Sequence, residues 1–137
     1  MLDKLRFHHI GIATYSLKET SDQYKKWGFN ISGIVHDPIQ NVNICFLTKN
    51  NHPLIELIEP ITDTSPIINI LNKIGVSPYH ICYEVEDMEE SIRELRENKF
   101  IPIIRPSKAI ALENKLICFL YKKEIGLIEL LQIVNKL

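Results

Sequence analysis

Cysteine is scarce in this chain and never clustered. The three that occur, Cys45, Cys82 and Cys118, sit singly inside apolar runs, with no CxxC pair and an odd total. That excludes a disulfide framework or a zinc knot and leaves reduced core thiols. An excess of one charge is also missing: 16 Lys and Arg against 17 Asp and Glu give a formal net charge of −1. Nucleic-acid binders usually show a basic face or run, so no nucleic-acid partner is expected. No stretch approaches the ~18 uninterrupted apolar residues of a membrane span. The opening MLDKLRFHHIG has no apolar run of signal-peptide length. A cytoplasmic protein without a membrane partner is the expectation. What is present, 137 residues at 45% hydrophobic and 24% charged, fits one globular domain that buries about two-thirds of its unfolded surface.

Repetition is what the sequence has in abundance. NICFLTK at 43–49 returns as LICFLYK at 116–122. Laying His9 on His80 gives an offset of 71, which also carries Ser16 onto Asp87, Leu17 onto Met88 and Phe29 onto Phe100. Ser16 and Asp87 are each followed three residues later by glutamate, Glu19 and Glu90, forming the capping box of a helix start. FHHIGIA and YHICYEV before them read as strands, and Gly28 ends the first helix. Further on the offset becomes 73, carrying Ile44 onto Ile117, Phe46 onto Phe119 and Glu56 onto Glu129. Two extra residues therefore lie between helix and ICFL strand in the second copy, where a loop tolerates them. Each copy reads as strand, helix, then two or three strands, with the extra strand near 31–36 and 101–105. The reading is an α+β domain over 1–137. It comprises a βαβββ unit at 5–61, a linker helix within 62–77 with Pro66 near its first turn and Gly75 at its end, and a second unit at 78–134.

Strand alternation sorts the polar residues by face. His9 shares a face with Gly11 and Ala13, and His80 with Cys82 and Glu84, so each histidine has a small residue two places on. Glu56 has Leu54 and Ile58 as same-face neighbours; Glu129 has Leu127 and Leu131. A carboxylate buried in such a row costs several kcal/mol unless it is paired or binds a cation. Singly, a strand histidine is an ordinary core residue and a buried glutamate an ordinary salt-bridge partner. Duplication changes this, because a pseudo-twofold brings equivalent positions together. Two imidazoles and two carboxylates suit a first-row divalent ion, with cobalt, nickel, manganese and zinc all open.

The blocks FHHIGIA with His9, LIELIEP with Glu56, YHICYEVED with His80 and GLIELLQ with Glu129 resemble the vicinal oxygen chelate (glyoxalase/bleomycin resistance/dioxygenase) superfamily. The resemblance runs over 7–132 and is closer to methylmalonyl-CoA epimerase-like members than to glyoxalase I. It implies paired βαβββ units whose curled mixed sheets surround a metal cleft, with His9, Glu56, His80 and Glu129 as ligands. It departs at AIALENK, where epimerases usually carry a glycine-containing loop, at FLYKKEIG, where they carry His-Pro, and at Asn43, where some place an acid.

The implied activity is a metal-dependent isomerase or epimerase that removes a proton next to a carbonyl, with Glu129 and Glu56 as candidate bases. The alternatives are a glyoxalase I-type lyase acting on a hemithioacetal and a non-catalytic small-molecule binder. The substrate would be an acyl thioester or a thiol adduct, and exposed sheet edges make a homodimer the expected assembly. Glu84 is a second-rank acid, placed near a strand end where a carboxylate is usually solvated. His8 faces away from His9, and His36 and His52 fall in or near turns without an identifiable partner. Lys108, Lys115, Lys122 and Lys123 read as a solvated edge or as contacts to a phosphate-bearing substrate tail.

Overall fold

The computed structural model describes residues 2–134; residues 1 and 135–137 of the expected domain range lie outside the described residues. The chain divides into two compact units. One consists of His9–Tyr79, the other of the residues up to His8 together with those from His80 onward. The first contains residues 9–13 of β1 (Arg6–Ala13), then α1 (Leu17–Lys26), β2 (Asn30–Ile31), β3 (Val35–Asp37), β4 (Val42–Thr48), β5 (Ile55–Pro60) and α2 (Ile68–Ile74). The second contains residues 80–85 of β6 (Ser77–Val85), then α3 (Met88–Glu97), β7 (Ile101–Pro102), β8 (Ser107–Ala109), β9 (Lys115–Lys122) and β10 (Gly126–Gln132). The α+β class and the doubled strand–helix–strands order are both observed. No helix among the described residues is long and apolar enough to cross a membrane.

Pairing repeats as closely as the sequence does. In the first unit β5 lies parallel to β1 and antiparallel to β4, and β2 and β3 both pair with β4. In the second, β10 lies parallel to β6 and antiparallel to β9, and β7 and β8 both pair with β9. The second strand of each copy is not the single piece expected near 31–36 and 101–105 but two short ones. In the second copy Pro102 and Pro106 have no N–H to offer the ladder. In the first, Ser32 breaks the ladder by accepting the Phe46 N–H on its hydroxyl at 2.8 Å. The registers also locate the two extra residues. Val35 pairs with Ile44, and Ser107 with Ile117, so β3 and β8 are offset by 72, midway between the outer 71 and the inner 73. One residue enters before β8 and one after it.

Both helices start as their sequences dictate. Ser16 Oγ accepts the Glu19 N–H and Asp87 Oδ1 the Glu90 N–H, each at 3.1 Å. A second acceptor comes from the end of each unit's last strand. The Leu17 N–H donates to Glu59 Oε1 and the Met88 N–H to Gln132 Oε1, both at 2.9 Å. Helix ends differ more. Gly28 closes α1 at φ 89°, whereas Lys99 occupies the matching position after α3 at φ 72°. A left-handed conformation costs an L-residue about 1–2 kcal/mol, partly offset by glycine's larger unfolded entropy. Lys99→Gly is therefore expected to raise stability by about 0.5–1 kcal/mol in chemical denaturation. An unchanged or lower midpoint would show that the strain is already relieved. α2 is shorter than the linker-helix range and stops at Gly75, φ 83°.

The echoed Ile-Cys-Phe-Leu is explained by alternation. Cys45 and Leu47 join Ile12, Leu17, Phe29 and Leu57 in one core beneath α1. Cys118 and Leu120 join Val85, Met88, Leu95, Ile128 and Leu130 in the other, beneath α3. The Ile and Phe of each echo therefore belong to the opposite face. The trailing lysines return to the helix ends. Lys49 Nζ donates to the Trp27 carbonyl at 2.6 Å and sits 5.5 Å from the Phe29 ring centroid, and Lys122 lies 5.7 Å from that of Phe100. A cation there complements the negative end of the helix. Burial raises the Cys45 and Cys118 thiols to about 11, with the Glu59 and Glu56 carboxylates adding to the effect at Cys45. Neither thiol should react with a disulfide reagent at pH 8 until the chain unfolds. Rapid modification of the native protein would contradict their buried placement. Ionisation in the unfolded chain also predicts stability lost as pH rises from about 9 toward 11, since a raised native pKa favours folding only while the thiol stays protonated.

Candidate functional site

Each unit places one imidazole against one carboxylate on the sheet face away from its helix. In the first, His9 on β1 sets Nε2 3.5 Å from Glu56 Oε1 on β5. In the second, His80 on β6 sets Nε2 3.3 Å from Glu129 Oε1 on β10. His9 is fully buried, and Glu56, His80 and Glu129 are 3–4% exposed. Parallel pairing of the first and last long strands sets each glutamate level with the residue two places past the histidine, Gly11 or Cys82, on the same face, so the imidazole reaches the carboxylate along the diagonal.

The surroundings repeat too. Gly11 on β1 and Phe46 on β4 are the register partners of Glu56. Cys82 on β6 and Phe119 on β9 are those of Glu129. Phe46 presents its ring edgewise to His9 at 6.3 Å between centroids, and Phe119 does so to His80 at 5.2 Å. Around these groups the face is aliphatic: Ile44 and Ile58 in one unit, Ile117 and Leu131 in the other, all buried. A donor set of imidazole nitrogen and carboxylate oxygen, buried and close, fits a divalent cation.

Other residues singled out in the sequence take lesser positions. Asn43 does not share the Glu56 face. Its Nδ2 donates to Glu59 Oε2 at 3.0 Å, and its Oδ1 lies 2.9 Å from His36 Nδ1, on the helix side of the sheet. It is no substitute for an acid at the site, and His36 has its partner there. His52 packs its ring against Phe29, 5.3 Å between centroids. Glu84 is half-buried and lines a recess of about 130 Å³ with Lys4, Arg6, Glu86 and Glu90. Lys115 reaches Glu113 at 3.5 Å, and Lys108 and Lys123 are exposed. At AIALENK the chain takes two successive left-handed residues, Glu113 and Asn114, each at φ 60°, without a glycine. The helix-holding Glu59 and Gln132 escaped the sequence reading, and Phe46 and Phe119, though matched by the repeat, were given no place beside the histidines. Their signal was positional: both pairs coincide at the offset of 73, as the site glutamates do.

The model of the Glyoxalase/Bleomycin resistance protein/Dioxygenase superfamily matches residues 8–119. The chain belongs to that superfamily. Within it, the chain is 34% identical over 125 residues to the mitochondrial methylmalonyl-CoA epimerase of Dictyostelium discoideum, covering 88% of this chain and 73% of the relative. It is 31% identical over 132 residues to the ethylmalonyl-CoA/methylmalonyl-CoA epimerase of Cereibacter sphaeroides, covering 93% and 98%. Among solved structures, a hypothetical protein of Bacillus halodurans superposes with a TM-score of 0.84 at 29% identity, covering 98% of each chain. The closer resemblance to epimerase members is thus matched by relatives bearing that name.

Proposed function

We propose that this protein is a metal-dependent epimerase that exchanges the proton on the carbon next to an acyl-CoA thioester carbonyl, with a methylmalonyl-CoA-like substrate. The observation that carries this is the pair of buried His–Glu half-sites, His9–Glu56 and His80–Glu129, in a chain whose relatives are epimerases of such thioesters. The four side chains would serve as the ligands of one divalent ion, cobalt, nickel, manganese or zinc, whose +2 charge their carboxylates would offset. When bound, such an ion supplies Lewis acidity toward the carbonyl oxygen, which makes the neighbouring C–H more acidic.

The chain's own groups supply the rest. Glu129 takes the proton from one side of the reacting carbon, the C–H electron pair remaining in the substrate. Glu56, its counterpart in the duplication, enters the step protonated, returns that proton to the other side and is left as the carboxylate. Both carboxyls then exchange with solvent. The aliphatic faces around them exclude competing water. Residues 1–137 form one functional domain in this reading, assembled as a homodimer in the cytoplasm.

The test begins with metal per chain by elemental analysis, then follows deuterium uptake from solvent at the carbon next to the methylmalonyl-CoA carbonyl. About one ion per chain and exchange with inversion are expected. A loaded protein that turns over a hemithioacetal instead would assign the lyase reaction, and no metal with no turnover would leave a binding protein.

A further inference from the structure

Both half-sites contain a group that neither ligates nor moves a proton, yet recurs at the same place: the phenyl ring on the strand beside the glutamate. Phe46 is the β4 partner of Glu56 and Phe119 the β9 partner of Glu129. In each case the ring meets the imidazole edge-on, at 78° to His9 and 85° to His80. An imidazole on a strand can turn about its Cβ–Cγ bond and swap which nitrogen faces the carboxylate. Here Nε2 faces it in both units. Histidines that serve metal sites are usually oriented by a group beyond the ligands, and an edge-on aromatic neighbour can do this through the ring quadrupole.

We infer that Phe46 and Phe119 are positioning residues. They hold the imidazole planes of His9 and His80 so that Nε2 points at the site before any ion arrives. The roles are graded. Phe119 lies 5.2 Å from His80, well inside the range for such pairs, whereas Phe46 at 6.3 Å from His9 is near its outer limit. The His80–Glu129 half is the pre-organised one, and the His9–Glu56 half adjusts on binding. The proposal rests on the metal reading above and refines it.

The experiment compares wild type with Phe119→Leu and Phe46→Leu, which keep an apolar side chain and lose the aromatic edge. Cobalt(II) binding is followed by calorimetry and by the visible absorption of the bound ion. Phe119→Leu should weaken affinity by about three- to tenfold and alter the spectrum, with a smaller change for Phe46→Leu. Circular dichroism and thermal unfolding of the apo proteins separate this from a loss of fold, because a purely packing role lowers the melting temperature and leaves the cobalt spectrum unchanged. Wild-type spectrum and affinity in Phe119→Leu would overturn the positioning role. So would equal effects of the two variants for its grading. Absence of cobalt binding by wild type itself would instead sink the metal reading.

Discussion

His80→Ala is expected to lower metal affinity by at least about 100-fold, because losing a ligand exceeds the cost of losing a group behind one. The reasoning is local to the β6–β10 pair. His80 Nε2 stands 3.3 Å from Glu129 Oε1, and neither side chain is more than slightly exposed. Alanine removes the nitrogen donor and leaves space that an aliphatic face cannot fill with another ligand. The fold loses support as well: one buried carboxylate loses its imidazole neighbour, and removing one partner of a buried polar pair costs about 1–3 kcal/mol. The apo protein should therefore unfold at lower temperature as well. His36→Ala serves as the control, since His36 bonds Asn43 on the opposite side of the sheet from Glu56. Elemental analysis after gel filtration reads both variants. Equal metal content in the two would remove His80 from the site.

The fold was legible because it is written twice. A single strand–helix–strand reading from periodicity would have been ambiguous, but Ser16 and Asp87, or Ile44 and Ile117, check one another at a fixed offset. The four candidate residues stood out for a different reason: histidine and glutamate are expensive in apolar strands, and the structure buries all four. What stayed hidden depends on strand register. That Phe119 abuts Glu129 requires knowing that β9 runs antiparallel to β10 with those residues level, and phenylalanine in a strand carries no cost to notice. Glu59 and Gln132 were hidden because a polar residue ending a strand is ordinary. Only the folded chain brings them to the Leu17 and Met88 N–H groups. Asn43, noted in the sequence as a departure from the resemblance, is turned toward the helix side by alternation, where it bonds Glu59.

Glu129→Gln separates holding a metal from moving a proton. Glutamine keeps the shape and an oxygen donor, so the variant should retain bound metal at reduced affinity while losing the basic carboxylate. General acid–base groups contribute about 10²–10⁴ in rate, and epimerisation should fall by about a thousandfold. The fate of solvent exchange is more informative. If Glu129 and Glu56 serve opposite sides of the reacting carbon, Glu129→Gln should still exchange deuterium into the stereoisomer that presents its proton to Glu56, without inverting it. Glu56→Gln should show the mirror-image preference. Stereochemically pure substrates in deuterated water, followed by mass spectrometry, distinguish the two patterns. A Glu129→Gln protein with full epimerisation would place the base elsewhere. A Glu56→Gln protein that still inverts both isomers would reduce Glu56 to a ligand and leave Glu129 as the one carboxylate serving both sides. The outcome turns on whether a duplicated half-site also duplicates its chemistry. The similar burial of the two glutamates, and an imidazole Nε2 within 3.5 Å of each, are what make the symmetric answer the expected one.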